Sequence, residues 1–254
     1  MRIRLRRAAR PARMGRMRNP ASRPAPRPGR RAAALLCALL LPAACTAPGA
    51  TRDWPEERDS LAAVSAGPGP ECRSSGVAVH IGRRRFLTAA HLVDGTQALL
   101  HGCGRGAAPA SLRFAGRNWE AEILRKGQAD LAAGIGTFYV GGRDVALLRT
   151  APLPPDVPAL PLCAAPPRPG QRVLVDTPRR RAVTEIAALV REASPLHGGY
   201  AELPLRLEPG ESGGAVIDLG GACLAGLVSH RQERDGLWRT RIVPSPVLRA
   251  FVGD

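Results

Sequence analysis

Pro209-Gly210-Glu211-Ser212-Gly213-Gly214-Ala215-Val216 sets one hydroxyl among three glycines and runs straight into an apolar segment. Glycines beside a serine let backbone N–H groups come close to a bound molecule. They suit a plain Gly-rich hairpin as well, and the motif alone leaves both readings open. The residues after the serine decide the fold class. Ala215–Ile217 reads as a strand, Leu219-Gly220-Gly221 as a turn and Leu224–Val228 as a second strand, so the serine opens a β-hairpin.

The same texture extends in both directions. Short apolar runs at Gly76–Ile81 and Phe86–Thr88 flank a Gly82-Arg83-Arg84-Arg85 turn. Leu112 and Phe114 alternate with polar neighbours, as do Trp119, Ala121 and Ile123 after Gly116-Arg117-Asn118. Further strands are expected at Val145–Leu148, Arg172–Val175, Ala201–Leu207 and Leu237–Ile242, and a short terminal helix at Pro246–Phe251. The segment Val183–Val190 fits a strand or a helix. Many short strands spaced by Gly and Pro turns predict an all-β sandwich or barrel pair. No repeat of 20–50 residues is visible.

Two more motifs precede the serine. Phe86-Leu87-Thr88-Ala89-Ala90-His91 brings a histidine in after a strand, where a structural role is the commoner one. Arg143-Asp144-Val145-Ala146-Leu147-Leu148 opens an apolar strand with an acid, and burying that carboxylate is costly unless something pairs with it. Taken together and in this order, TAAH, DVALL and GESGG resemble the chymotrypsin/trypsin-like serine peptidase superfamily, whose chain order is His, Asp, Ser. The resemblance spans roughly Ser75 to Phe251. Its spacings of 53 and 68 residues look like the compact bacterial branch that includes glutamyl endopeptidases.

The resemblance implies two six-stranded antiparallel Greek-key barrels, roughly residues 73–155 and 156–254, with the active site between them and a C-terminal helix. It implies Ser212 as nucleophile, His91 as the base that takes its proton, and Asp144 as the group that orients the imidazole. The N–H groups of Gly210 and Ser212 would form the oxyanion hole. Ser229 would be a partner of Asp144 along the substrate cleft. Arg206, six places before the serine, stands where trypsins carry an acid, which argues against cleavage after Lys or Arg. An acidic preference would suit Arg206 or His230. Cleavage-activated relatives carry an Ile-Val-Gly-Gly-like terminus and an Asp before the serine. Here Glu211 replaces that Asp and no such terminus is found, so no zymogen switch of that kind is expected. Animal members bracket the catalytic histidine with a disulfide, which makes Cys72–Cys103 the first pairing to expect and Cys163–Cys223 the second. Four cysteines allow three connectivities.

Charge and composition place the remaining chain. Of 254 residues, 37 are Lys or Arg and 21 are Asp or Glu. Twelve arginines and no acid fall in residues 1–31, and residues 32–44 carry no charge. The other 210 residues hold 25 basic and 21 acidic side chains, too even a balance for a domain that tracks phosphates. No nucleic-acid partner is therefore expected, and a basic arm that binds one would have to survive in the mature chain. Arg30-Arg31 followed by the Ala/Leu stretch Ala32–Leu41 fits a secretory signal and is too short to span a bilayer.

Leu41-Pro42-Ala43-Ala44-Cys45 resembles a bacterial lipobox, from which Pro42 departs, and makes Cys45 a candidate lipidation site. Cys37 then leaves with the signal, and four cysteines remain in an exported chain, an even set. The expected organisation is a signal over residues 1–44, a Pro/Gly/Ala-rich tether over 45–72 and a peptidase domain over 73–254. Location would be periplasmic or extracellular, on a lipid anchor if Cys45 is modified.

Other chemistries fit less well. Gly210–Gly214 matches G-x-S-x-G, but that hydrolase turn needs a helix after the serine and a later acid and histidine. Asp94, Asp130 and Asp156 compete with Asp144, yet none opens an apolar strand. His80, His101, His197 and His230 lack ligand spacing, so neither metal nor cofactor is expected. The substrate would be protein or peptide. The rival reading is a catalytically silent envelope lipoprotein that keeps the fold as a binding module.

Overall fold

The computed structural model describes residues 60–103, 109–134 and 138–253. Six strands form a closed antiparallel barrel: β1 (Leu61–Ala66), β2 (Ser74–Gly82), β3 (Arg85–Thr88), β4 (Ala110–Phe114), β5 (Arg117–Lys126) and β6 (Ala146–Thr150). Their order around it is β1-β2-β3-β6-β5-β4, a Greek-key jump from β3 to β6. Seven segments make the second sheet: β7 (Arg172–Thr177), β8 (Arg180–Glu185), β9 (Ala188–Arg191), β10 (Gly199–Leu203), β11 (Ala215–Asp218), β12 (Cys223–Arg234) and β13 (Leu237–Pro244). Helix α1 (Thr96–Leu100) follows β3, and α2 (Ser245–Val252) ends the chain.

The second sheet runs β8-β7-β11-β12-β13-β10-β9, so β8 and β9 are its two edges. Only Ile186 and Ala187 separate them. The Ile186 N–H donates to Gln171 O and the Ala187 N–H to Glu202 O. One bent strand thus serves both edges and brings the sheet round to six barrel staves. This settles Val183–Val190 as β structure. Its inward residue is Ile186, fully buried, while Val183 and Leu189 face solvent, a contrast the local sequence does not display.

Strand structure begins before residue 73, inside the expected tether. Leu61–Ala66 pairs with β2 on one side and β4 on the other and closes the first barrel. Its inward residues are Ala62, Val64 and Ala66, so the alternation is real but carried by small side chains that resemble linker composition. Residues 1–59, with the expected signal, Cys45 and the first part of the tether, lie outside the described residues. Among the described residues no helix is long and apolar enough to cross a membrane.

Side-chain alternation builds three apolar clusters. Phe86 and Leu148 point into the first barrel beside Leu112. Their neighbours Leu87 and Leu147 point out, because successive strand residues face opposite ways. Those two pack with Leu227, Val243 and the α2 residues Leu248 and Phe251, so one apolar layer joins the barrels. Val173, Val175, Leu203, Val228 and Ile242 fill the second barrel.

Both expected disulfides are formed, Cys72–Cys103 and Cys163–Cys223. The first ties the turn before β2 to the segment after α1, on either side of His91. Replacing Cys72 and Cys103 with serine is expected to lower stability by about 2–5 kcal/mol, read as a reduced urea midpoint; an unchanged midpoint would mean the bond does not form in the folded chain.

Candidate active site

His91 sits in a 3-10 turn, Ala90–Leu92, immediately after β3. Asp144 precedes β6, whose register on β3 pairs Thr88 with Ala146. Adjacent strand ends therefore bring two residues 53 apart in sequence into contact. His91 Nδ1 lies 2.9 Å from Asp144 Oδ2, and the His91 backbone N–H donates to Asp144 Oδ1 at 3.1 Å. Ser229 Oγ donates to Oδ2 at 2.5 Å. Both side chains are almost wholly buried, at 7% and 1% exposure, and three donors satisfy the carboxylate.

Burial opposes ionisation of Asp144, but the His91 charge and the donors prevail and hold its pKa at about 2. Burial likewise opposes charging of His91, and the attraction of Asp144 outweighs it, raising the imidazole above its ordinary 6.5. Were His91 the base of a hydrolytic reaction, it would have to be neutral to accept a proton, and the acid limb of kcat/KM is then expected above pH 6.5. A pH–rate profile checks this, and a limb at or below the ordinary imidazole value would contradict it. The stability terms have opposite signs. The raised His91 stabilises the fold below its unfolded pKa, and that contribution fades as pH climbs through the folded one. The depressed Asp144 stabilises above the ordinary carboxylate value of 3.8 and loses its contribution as pH falls towards about 2.

Ser212 lies in the turn before β11. Its carbonyl accepts from the Val77 N–H at 2.8 Å, fastening the turn to β2 across the barrel boundary. Gly213 at φ +80° permits this approach, since a Cβ there would meet Val77 O at 1.9 Å. The Ser212 hydroxyl donates to the Ser229 carbonyl at 3.1 Å. No hydrogen bond joins it to His91 among the described residues, although both border one cleft of about 200 Å³. Gly210 holds φ +91°, a left-handed conformation that favours glycine. Neither the Gly210 nor the Ser212 N–H meets an acceptor among the described residues, whereas the Glu211 N–H donates to Glu208 O.

Glu211 is buried at 1% exposure. Its carboxylate accepts from Thr177 Oγ1 at 2.5 Å and from the Glu208 N–H at 2.5 Å. These internal donors pin the serine turn to the end of β7. The roles of Thr177 and Glu208 carry no motif: Thr177 reaches Glu211 from the end of β7, and Glu208 from within the serine turn itself.

One expectation about the cleft changes. Arg206 does not border it. The turn after β10 buries Leu207 and leaves Arg206 exposed, with its guanidinium 4.7 Å from the Trp238 ring centroid and Nε 3.1 Å from Glu208 Oε1. Arg231 borders the cleft instead, together with His230, Glu208 and Thr240, and donates to Glu208 Oε2 at 2.7 Å. Counting back from the serine as if along one strand could not anticipate this.

The competing acids are otherwise engaged. Asp94 accepts from Tyr139 Oη at 2.5 Å and from the Thr96 N–H. Asp130 Oδ2 lies 2.8 Å from His197 Nε2, a second His–Asp pair outside the cleft. His80 is buried against Phe86 and Phe114, with Nδ1 on Pro158 O. Cys163, Cys223 and Asp218 come close enough to suggest a metal site, but the two sulfurs are joined to each other.

Two β-barrels that meet at a serine turn and a buried His–Asp pair are the arrangement of a serine peptidase. A family model confirms that class: the Trypsin-like peptidase domain matches residues 74–226, more than half of the chain, and the chain belongs to that family. Among solved structures it is similar to the active form of the Rv3671c protease from M. tuberculosis. That match has 20% identity and a TM-score of 0.56, over 77% of this chain and 80% of the other. The HtrA-type protease AlgW with tripeptide matches at 19% identity and a TM-score of 0.53, over 77% of this chain and 59% of the other. At these identities the likeness is one of fold. No curated protein matches in sequence.

Proposed function

We propose that the chain is an exported serine endopeptidase working through an acyl-enzyme, with Ser212 as nucleophile, His91 as base and Asp144 as its orienting acid. The observation that carries this reading is the Ser229–Asp144–His91 hydrogen-bond chain, which ends at an imidazole bordering the same cleft as Ser212. For attack, the Ser212 hydroxyl turns from the Ser229 carbonyl to His91 Nε2. It adds to the scissile carbonyl as Nε2 takes its proton. The Gly210 and Ser212 N–H groups receive the developing oxyanion, each such donor being worth about 10²–10³ in rate. His91 returns the proton to the leaving amine, and water repeats the sequence on the ester.

The cleft offers the Arg231 guanidinium, which favours an acidic side chain in the substrate over a basic one. Glu208 neutralises part of that charge, so the preference is modest. Secretion, with Cys45 as a lipid anchor, is supported by the charge pattern of residues 1–44 and by the even set of paired cysteines. A second reading, a catalytically silent binding module, has one observation in its favour: the Ser212 hydroxyl rests on a carbonyl and not on the imidazole.

Cleavage of a mixed peptide library by the full chain tests the proposal, with the products read by mass spectrometry. Discrete cleavages, depleted after Lys and Arg, are expected. A folded sample that leaves the library intact favours the binding module. Mass spectrometry of the chain recovered from a bacterial host shows whether it begins at a lipidated Cys45.

A further inference from the structure

His230 follows Ser229 on β12 and borders the cleft, and it is joined to the His–Asp pair by a contact that peptide attack does not itself require. Its Nδ1 lies 2.9 Å from Ser229 Oγ. The Ser229 hydroxyl has one hydrogen, and the 2.5 Å contact to Asp144 Oδ2 takes it, because an ionised carboxylate only accepts. At the other contact Ser229 must therefore accept, and His230 must donate from Nδ1–H. This fixes the tautomer of the neutral ring, with the lone pair on Nε2. The ring is braced edge-on against the buried Tyr200, at 5.5 Å between centroids. Tyr200 is covered in turn by the Arg241 guanidinium.

Ser229 is thus a hub. Its hydroxyl links His230 to Asp144, and its carbonyl receives the Ser212 hydroxyl. At residues 229 and 230 the pairing of β12 with β13 is interrupted, between Val228↔Ile242 and Arg231↔Thr240. This irregularity in the ladder sets the two side chains outside the regular alternation of β12.

Resting on the serine-peptidase reading, we propose that His230 is a positioning residue for this reaction: its Nδ1–H holds the Ser229 hydroxyl on Asp144, and through it keeps the carboxylate aligned on His91. A bound donor sharpens the next hydrogen bond in such a chain. Without it the hydroxyl rotor is free to leave Asp144 for the cleft.

A double-mutant cycle with Ser229 separates this role from direct contact with substrate. His230→Phe is expected to lower kcat about 3- to 10-fold, the worth of one neutral hydrogen bond, with a smaller change in KM. His230→Asn, whose amide can donate from a similar place, is expected to restore most of the loss. In a Ser229→Ala background the same His230→Phe change is expected to cost less than about twofold, since the group it acts through is gone. The rate of fluorophosphonate labelling serves as the readout if turnover is too slow, and His230→Ala replaces the Phe variant if that variant does not fold. An equal loss in both backgrounds would overturn the proposal and make His230 a substrate contact. So would an unchanged kcat in His230→Phe. Absence of turnover in the unaltered chain would count against the peptidase reading itself, a different outcome from either.

Discussion

Ser212→Ala is expected to abolish peptide hydrolysis while the fold survives. The loss in kcat is set by removal of the nucleophile, about 10⁶-fold where a triad serine acts as a unit with its base. Stability should barely move. The hydroxyl makes one hydrogen bond, to the Ser229 carbonyl, and such a bond is worth about 1 kcal/mol net. The turn that carries it is held by other groups: the Ser212 carbonyl on Val77 N–H, Glu211 on Thr177 and Glu208, and Gly213 against β2. Initial-rate assays beside a urea titration check both halves. Residual hydrolysis within about tenfold of the unaltered chain would mean that another residue supplies the nucleophile.

Asp144→Asn is expected to cost about 10⁴ in kcat. The carboxylate accepts from three donors, and one oxygen takes two of them, His91 Nδ1 and Ser229 Oγ. An amide presents one acceptor and one donor. If its oxygen stays on the His91 backbone N–H, its NH₂ faces Nδ1 and forces the imidazole to carry its proton on Nε2. That tautomer cannot take a proton from Ser212. The elevated acid limb should vanish with the charge that raises His91, so the pH profile of the residual activity is the second readout. A loss below about 100-fold would point to another acid, although Asp94 and Asp130 are committed to Tyr139 and His197.

Much of the fold and the site is legible in the sequence. The three motifs name residues that the fold does bring together: adjacent β3 and β6 align their ends and so pair His91 with Asp144, and the Ser212 carbonyl fastens its turn to β2 beside β3. The Cys72–Cys103 bridge likewise follows the bracketing of the histidine that the resemblance implies. The features that stay hidden have common physical causes. Leu61–Ala66 closes a barrel with alanines that pass for linker. Val183–Val190 bends from one sheet edge to the other, and its single buried residue, Ile186, leaves no period to read. Arg206 lies in the turn after β10, which faces it away from the cleft as Leu207 is buried beneath Thr240, whose hydroxyl accepts from the Leu207 N–H, while strand β12 carries Arg231 to the cleft. The donors to Glu211 come from residues 34 and 3 positions away, and nothing in the chain marks that pairing.

The measurement that bears most directly on the central claim is fluorophosphonate labelling of the folded chain beside Ser212→Ala, with the adduct located by mass spectrometry. One adduct is expected, on Ser212, and none in the variant. A folded chain that remains unlabelled, or an adduct on any other residue, would contradict Ser212 as the nucleophile.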